Sequence, residues 1–281
     1  MARLTQLFSC ILIRAAPGDR EHQIRVQRKV AVNAFDSHIV QFVNGFARRS
    51  WTFDWFVAVL NDNNLVKGGV IVMLLLTIWF TETDGAQLRR ASILSGLFAT
   101  CVAVVVARLL SFMLPFRGRL IYEPGIHFVR PFSMDGHDLT GWWTSFPSDN
   151  AVLFFALAAS VYAGCRRAGV IAYAHAFITV GFARVYVGIH YPTDILAGAL
   201  IGISIVWLSQ IPSVRVFTTR IPMEWRSDRP QVFYPLLFGL LLLISTIFDP
   251  IFGLGHAARE IASGPPLSAP AAAGTRRGEA R

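Results

Sequence analysis

The stretch "ASILSGLFATCVAVVVARLLSFMLP" (Ala91–Pro115) decides the fold class of this chain. It is apolar for longer than the roughly 20 residues that a helix needs to cross a bilayer. Further apolar runs lie at about Leu65–Thr81, Asn150–Gly164, Ala168–Ile189, Ile195–Ile211 and Val232–Leu254. Lipid requires internal partners for every backbone polar group, and these runs are too long and too uniformly apolar for barrel strands. We therefore expect an all-α, polytopic transmembrane bundle of about six membrane helices.

The composition agrees with a membrane protein. Of the 281 residues, 54% are hydrophobic and 15% are charged, whereas about a quarter are charged in a typical soluble chain. The net charge is +9, and it comes almost entirely from Arg, because Lys29 and Lys67 are the only lysines. The Arg residues cluster between apolar runs, which favours topology signals over nucleic-acid binding. Because the Cys residues show no metal-site spacing, we expect no metal and no cofactor.

The sequence predicts three parts in this chain. Residues 1–50 form a polar and amphipathic N-terminal region, residues 51–254 a membrane-embedded helical domain, and residues 255–281 a tail whose Ala, Pro and Arg predict disorder. The segment Phe35–Leu60 has two interpretations, because its apolar part is too short to span a bilayer. It forms either an interfacial helix or half of a span.

The loops between the runs predict an orientation. Arginines are concentrated in the loop Glu82–Arg90, in the turn after Gly164 and in the loop Pro212–Pro230. Counting the runs puts these loops on one side, which the positive-inside rule makes cytoplasmic. The long loop Phe116–Pro147 and the turn His190–Asp194 then face outward from an inner membrane. The Arg-rich N-terminus fits this scheme only if the ambiguous segment contributes a crossing.

Polar residues at helix ends predict a phosphate site on the outer face. They comprise Arg108, the pair Arg117 and Arg119, "FPSDN" (Phe146–Asn150) and "ARVYVGIHYPTD" (Ala183–Asp194). An Arg at membrane depth costs about 2.5–3.5 kcal/mol and implies a partner or a function. Guanidinium groups around one space repel each other unless an anion lies among them, and their planar fork fits phosphate oxygens. Ser148 adds a hydroxyl at a helix N-terminus, where backbone amides favour anions.

A candidate nucleophile lies in the last of these clusters. His190 follows Arg184 by six residues and precedes Asp194 by four. A carboxylate that binds one ring nitrogen fixes the tautomer and leaves the other nitrogen free to attack phosphorus. Taken singly, each residue also has a structural interpretation, such as a snorkelling Arg or a helix cap. Only the joint pattern indicates catalysis.

These motifs resemble the signatures of the type-2 phosphatidic acid phosphatase superfamily. "ARVYVGIHYPTDILAG" resembles the third signature, S-R-x5-H-x3-D, with Arg184, His190 and Asp194 in register and Ala183 in place of Ser. "SFPSDNAVLFFALA" resembles the second signature, P-S-G-H or P-S-D-H, with Asn150 in place of His. "ARLLSFMLPFRGRL" is loosely similar to the first, K-x6-R-P. The resemblance covers about Trp51–Gln210.

The resemblance implies a helical bundle and metal-free hydrolysis through a phosphohistidine. It implies catalytic positions at His190 as nucleophile, Asp194 as its orienter and Asn150 at the place of the general acid. The phosphate-binding positions are Arg108, Arg119, Ser148, Asp149 and Arg184, with Arg117 as the alternative to Arg119. Membrane members of this superfamily include bacterial lipid phosphatases that recycle polyprenyl pyrophosphate carriers.

Asn150 is the most consequential departure from the family pattern. An amide donates hydrogen bonds but is no general acid near neutral pH, and losing such an acid costs about 10²–10⁴-fold when the leaving group is poor. A phosphate that leaves from a pyrophosphate needs less help than an alkoxide. We therefore expect a preference for lipid pyrophosphates over lipid monophosphates. His127, His137 and Asp149 remain open as substitute proton donors.

Three functions are compatible with these residues. The first is an outer-face phosphatase acting on lipid phosphates or pyrophosphates, with polyprenyl pyrophosphate favoured. The second is a lipid-phosphate binding or transport protein without catalysis, which Asn150 and the degraded first motif favour. The third is a phosphotransferase, in which an acceptor hydroxyl replaces water. The sequence points to no particular oligomeric state.

Overall fold

A computed structural model describes residues 32–123, 125–135 and 144–245 of the chain. These residues contain helices and loops but no β-strand, so the all-α prediction is confirmed. The α-helices are α1 (Ala34–Asn44), α2 (Trp51–Asp62), α3 (Asn64–Phe80), α4 (Ala86–Met113), α5 (Asp149–Gly164), α6 (Arg166–Ala176), α7 (Ala183–Tyr186), α8 (Pro192–Ser209), α9 (Pro212–Asp228) and α10 (Pro230–Ser245). A π-helical segment, Phe177–Phe182, joins α6 to α7, and short 3-10 turns lie at Leu120–Tyr122 and Phe132–Met134.

Among the described residues, three helical stretches are long and apolar enough to cross a membrane. They are α4, the continuous stretch Arg166–Tyr186 and α8. Helices α2 and α3 pass the same test together, with a bend of 61° between them, and count as a fourth span if they are one broken span. Helix α5 and the stretch Pro230–Ile244 are apolar but shorter. The count of about six membrane helices therefore stays a prediction, and part of the run Val232–Leu254 lies outside the described residues.

Side-chain hydrogen bonds cap the starts of several helices. The Asn33 side chain accepts a hydrogen bond from the Asp36 amide at 2.7 Å and starts α1. Ser50 and Asn63 cap α2 and α3 in the same way. Helix α8 opens with Pro192 at its first position, and the Asp194 carboxylate accepts from the Tyr191 amide at 2.9 Å. The first turns of α1 and α8 thereby carry Asp36 and Asp194, which later take part in the site.

Small residues let α4, α5 and α8 pack closely in the core. Ala103 and Ala107 of α4 are buried against Val152 of α5. Gly198 of α8 lies so near α5 that an added Cβ would be 2.7 Å from the Ser148 carbonyl oxygen. Such contacts are typical of membrane helices that approach backbone to backbone. The packing holds the starts of α5 and α8 together, and the Ser148 amide donates to the Asp194 carbonyl at 3.3 Å.

The first two helices hold the long loop between α4 and α5 over one end of the bundle. The Asn44 side chain pairs with the amide and carbonyl of Val129, at 2.8 and 2.7 Å. Buried Asp54 accepts from the Phe132 amide at 2.7 Å, and Arg48 donates to the Arg130 carbonyl at 2.7 Å. The described part of this loop is therefore fixed by long-range hydrogen bonds rather than by regular structure.

Candidate active site

The helix ends bring most of the predicted site residues to one end of the bundle. Arg108, near the end of α4, pairs with Asp149 at the start of α5, with Nη2 and Oδ2 2.9 Å apart. Arg184, on α7, lies within electrostatic reach of both Asp149 and Arg119. His190 lies in the turn that follows α7 and precedes α8. We call Arg108, Arg119, Ser148 and Arg184, which the sequence predicts to bind phosphate, the phosphate cage.

The imidazole of His190 is buried and fixed through one nitrogen. The side chain is 9% exposed, and Nδ1 lies 2.8 Å from the carbonyl oxygen of Ser145. A carbonyl oxygen only accepts, so this contact assigns the proton to Nδ1 and leaves the lone pair on Nε2. Burial lowers the pKa of His190 to about 4, against the opposing effect of Asp194. The ring is therefore neutral near pH 7, which is the form that can attack phosphorus.

A glycine turn just before His190 places this residue close to Arg184. Gly188 has φ +79, and an added Cβ would lie 2.7 Å from the Phe128 ring. Only glycine adopts such a conformation readily. The turn carries the chain back onto the end of α7, where the amides of Ile189 and His190 donate to the Arg184 carbonyl at 3.1 and 3.4 Å. Arg184 and His190 are thereby linked through the backbone.

Asp194 supports His190 mainly through Ser145. Its Oδ2 accepts from the Ser145 hydroxyl at 2.6 Å, and it lies 3.7 Å from Nδ1 of His190. The shorter contact of Nδ1 is with the Ser145 carbonyl. The sequence suggested a direct hydrogen bond between Asp194 and the ring, and it contained no signal for Ser145, because that contact uses a backbone atom. Asp194 thus holds the residue that fixes the tautomer.

The structure distinguishes the two arginines of the long loop. The Arg117 guanidinium donates to Asp194 at 2.5 Å and to Asp36 at 2.9 Å, and it stacks over the Tyr191 ring at 3.9 Å. These contacts occupy most of the Arg117 guanidinium, so few of its N–H donors remain for a ligand. Arg119 makes no salt bridge to any carboxylate in the described ranges, and burial lowers its pKa. Of the two alternatives, Arg119 is the better placed to hold a phosphate.

Asp36 is a supporting residue that the sequence analysis missed. It is fully buried, at 0% exposure, and accepts from the Thr193 amide at 2.9 Å and the Thr193 hydroxyl at 2.8 Å. It also pairs with Arg117, which in turn holds Asp194. Asp36 lies outside every signature, in the N-terminal region predicted to be polar and amphipathic, and no motif in the sequence linked it to the site. Through it, α1 supports the start of α8.

Replacing Asp36 with Ala is expected to lower the free energy of unfolding by about 1–3 kcal/mol, because the Thr193 amide loses its acceptor, while Arg117 keeps Asp194 as a partner. Thermal unfolding of the purified protein in detergent measures this change. Asp135→Ala is the matched control, since the Arg48–Asp135 pair is exposed by 39% and 51% and is worth about 0–1 kcal/mol. Equal losses in the two variants would show that Asp36 is not a structural support.

Several buried polar atoms around the cage lack hydrogen-bond partners in the described part of the chain. They are Oγ of Ser148, Oδ1 of Asp149, Oδ1 of Asn150 and Nε of Arg184. Buried polar atoms in folded proteins nearly always have a partner, so this cluster indicates a polar space that holds water or a polar ligand. Of the substitute proton donors, Asp149 lies in this cluster, His127 is exposed, and His137 falls outside the described residues.

Comparisons with known proteins find one family match and several relatives. Residues 124–215 match the PAP2 superfamily. The bacitracin transport permease protein BcrC of Bacillus licheniformis is 27% identical over 129 residues, which cover 46% of this chain and 58% of that protein. The lipid A 1-diphosphate synthase of Escherichia coli is 28% identical over 187 residues, 63% of this chain and 76% of the relative.

The undecaprenyl-diphosphatase BcrC of Bacillus subtilis is 25% identical over 170 residues, which cover 60% of this chain and 80% of the relative. The chain thus spans less than two thirds of the Bacillus licheniformis protein and more of the other two. No solved structure matches the chain significantly. The match of residues 124–215 to the PAP2 superfamily confirms the resemblance of this chain to the type-2 phosphatidic acid phosphatase superfamily.

Proposed function

We propose that this protein is a membrane lipid phosphatase that hydrolyses lipid pyrophosphates, polyprenyl pyrophosphate above all, through a phosphohistidine at His190. The observation that carries the proposal is the buried, neutral imidazole whose Nδ1 is bound to the Ser145 carbonyl at 2.8 Å, so that Nε2 keeps its lone pair. It lies at the bundle end that also holds the phosphate cage. The diphosphatase name of the Bacillus subtilis relative supports the substrate class.

The chemistry follows from these positions. The cage holds the terminal phosphate, and Nε2 of His190 attacks its phosphorus. The bond from phosphorus to the bridging oxygen breaks, and the lipid monophosphate leaves. Ser145 and Asp194 stabilise the positive charge that develops on the ring, since Asp194 accepts from Ser145 at 2.6 Å. Water then attacks the phosphohistidine, the P–N bond breaks, and inorganic phosphate leaves.

Asn150 supports the choice of pyrophosphate. It lies in the first turn of α5, directly after Ser148 and Asp149. Because its amide cannot protonate a leaving oxygen near neutral pH, the site suits a leaving group that is already stable as an anion. A lipid monophosphate that leaves from a diphosphate meets this condition, whereas the alkoxide of a lipid alcohol does not.

The proposed location is the inner membrane, with the site facing outward. Arg89 and Arg90 lie in the first turns of α4, at the end of that helix opposite Arg108. Arg166 and Arg167 open α6, whereas Arg184 lies at the far end of the same continuous stretch. The positive-inside rule makes the end of the bundle that carries these four arginines cytoplasmic. The phosphate cage is then on the outer side.

The proposal is tested with purified protein in detergent and a matched pair of polyprenyl substrates, one a monophosphate and one a diphosphate. We expect kcat/KM for the diphosphate to be at least about tenfold higher, because only the poor leaving group requires the missing acid. The His190→Ala variant, purified in the same way, is the blank: any phosphate that it releases measures the activity of contaminating phosphatases. Equal rates, or rates that favour the monophosphate, would contradict the proposed substrate class.

A phosphotransferase is the second candidate, because the Escherichia coli relative is named as a lipid A 1-diphosphate synthase and is 28% identical to this chain. The phosphohistidine step is shared, and the candidates differ only in the acceptor. With a diphosphate labelled in its terminal phosphate, hydrolysis puts the label in inorganic phosphate. Transfer puts it on an added lipid hydroxyl or phosphate. Binding without any release supports a lipid-phosphate carrier instead.

A further inference from the structure

A carboxylate lies beside the arginines of the phosphate cage. Asp149 is the first residue of α5, and its Oδ2 is 2.9 Å from Nη2 of Arg108, with the two side chains 20% and 21% exposed. Arg184 is the other cation within electrostatic reach of Asp149. The Asp149 carboxylate therefore sits where an anionic ligand of Arg108 would bind.

A purely structural role explains this contact poorly. The N-cap of α5 is Ser148, and its side chain makes no capping hydrogen bond to the described helix. Asp194, at the start of α8, has partners for both oxygens in Arg117, Ser145 and the Tyr191 amide. By contrast, Oδ1 of Asp149 is buried without a hydrogen-bond partner among the described residues. A buried polar atom without a partner costs about 1–3 kcal/mol, so the structure holds Asp149 less firmly than Asp194.

An incoming phosphate competes with Asp149 for the same guanidinium. The fork of an arginine suits one bidentate anion, so a substrate that binds Arg108 displaces the Asp149 carboxylate or meets its repulsion. A single phosphate group carries a charge of about −1.5 to −2, and a diphosphate carries more. The second phosphate also reaches further arginines of the cage, such as Arg119. A monophosphate therefore displaces the Asp149 carboxylate from Arg108 less readily than a diphosphate does.

We propose that Asp149 is a specificity-determining residue, a built-in competitor anion that makes the phosphate cage select lipids with a diphosphate over lipids with a single phosphate. This inference rests on the proposed function, because it takes the cage to be the phosphate site. It adds a second cause of diphosphate preference, one that acts on binding. The effect of Asn150, by contrast, acts on the departure of the leaving group.

Binding of inorganic phosphate and pyrophosphate tests the inference without turnover. The full chain carries His190→Ala, and the dissociation constants are measured by calorimetry with and without Asp149→Asn. We expect the Kd of phosphate to fall about tenfold and that of pyrophosphate by about threefold or less, since ten-fold in affinity corresponds to about 1.4 kcal/mol. Asp149→Gly removes the same charge and serves if the Asn variant does not fold.

The control is Glu224→Gln, which removes a carboxylate from the exposed Arg220–Glu224 pair on α9 and is expected to change neither constant. An unchanged or weaker affinity for phosphate in both Asp149 variants would overturn the inference while leaving the cage in place. Equal gains for phosphate and pyrophosphate would overturn its selectivity. If neither the parent nor the variants bind either anion, the cage itself, and with it the proposed function, is wrong.

Discussion

Replacing His190 with Ala should reduce phosphate release from a lipid diphosphate by about 10⁴-fold or more, because loss of a nucleophile removes the covalent route altogether. The arginines remain, so the affinity for inorganic phosphate should stay within about threefold of the wild type. Phosphate release and phosphate binding are measured on the same detergent-purified protein. The combination of lost turnover and retained binding distinguishes a catalytic role from a folding defect.

His38→Ala is the matched control for this variant. His38 is an exposed residue of α1, and its replacement is expected to leave the rate unchanged. If His190→Ala keeps more than about 1% of the wild-type rate in a preparation free of other phosphatases, His190 is not the nucleophile, since a missing nucleophile costs far more than this.

Replacing Asn150 with His should raise the rate on lipid monophosphates by about 10²-fold or more, while the rate on diphosphates changes by less than about tenfold. The position is in the first turn of α5, where the Asn150 oxygen is buried without a hydrogen-bond partner in the described ranges. An imidazole at this place can protonate an alkoxide as it leaves, and an amide cannot. Steady-state kinetics on the matched polyprenyl pair measure both changes.

Asn150→Gln controls for side-chain size, because it enlarges the residue without adding a titratable group. A second signature accompanies the gain in the His variant. Activity on monophosphates should decline as pH rises through the pKa of the new imidazole, since only its protonated form donates. A gain of the same size on both substrates, or no gain at all, would show that the absent acid does not set substrate preference.

The bundle and much of the cage could be predicted from the sequence. Hydropathy is local, so apolar runs are visible without tertiary knowledge, and counting them brings Arg108, Ser148, Arg184 and His190 to one end of the bundle. In the structure these residues lie at or near helix ends, and Arg108 lies near the end of the long run Ala91–Pro115. The number of spans was harder to predict, because α2 and α3 are bent by 61° and α5 is short.

Other features depend on the direction of single side chains. Arg117 and Arg119 are two residues apart in one loop, and only the folded chain shows that Arg117 is held by Asp36 and Asp194. Asp36 is far in sequence from every signature and joins the site through its bonds to Thr193 and Arg117. The hydrogen bond from His190 to the Ser145 carbonyl uses a backbone atom. Every residue has such an atom, so the sequence carries no signal for this contact. Long-range contacts of these kinds leave no periodic pattern.

The most direct test is to identify the phosphorylated atom. Protein mixed briefly with a terminally labelled lipid diphosphate is denatured at alkaline pH, where phosphohistidine survives, and the labelled peptide is sequenced by mass spectrometry. Because Nδ1 of His190 is bound to the Ser145 carbonyl at 2.8 Å, the label should be on Nε2 of His190. Label on Nδ1 or on another residue, or turnover without any labelled peptide, would contradict the account.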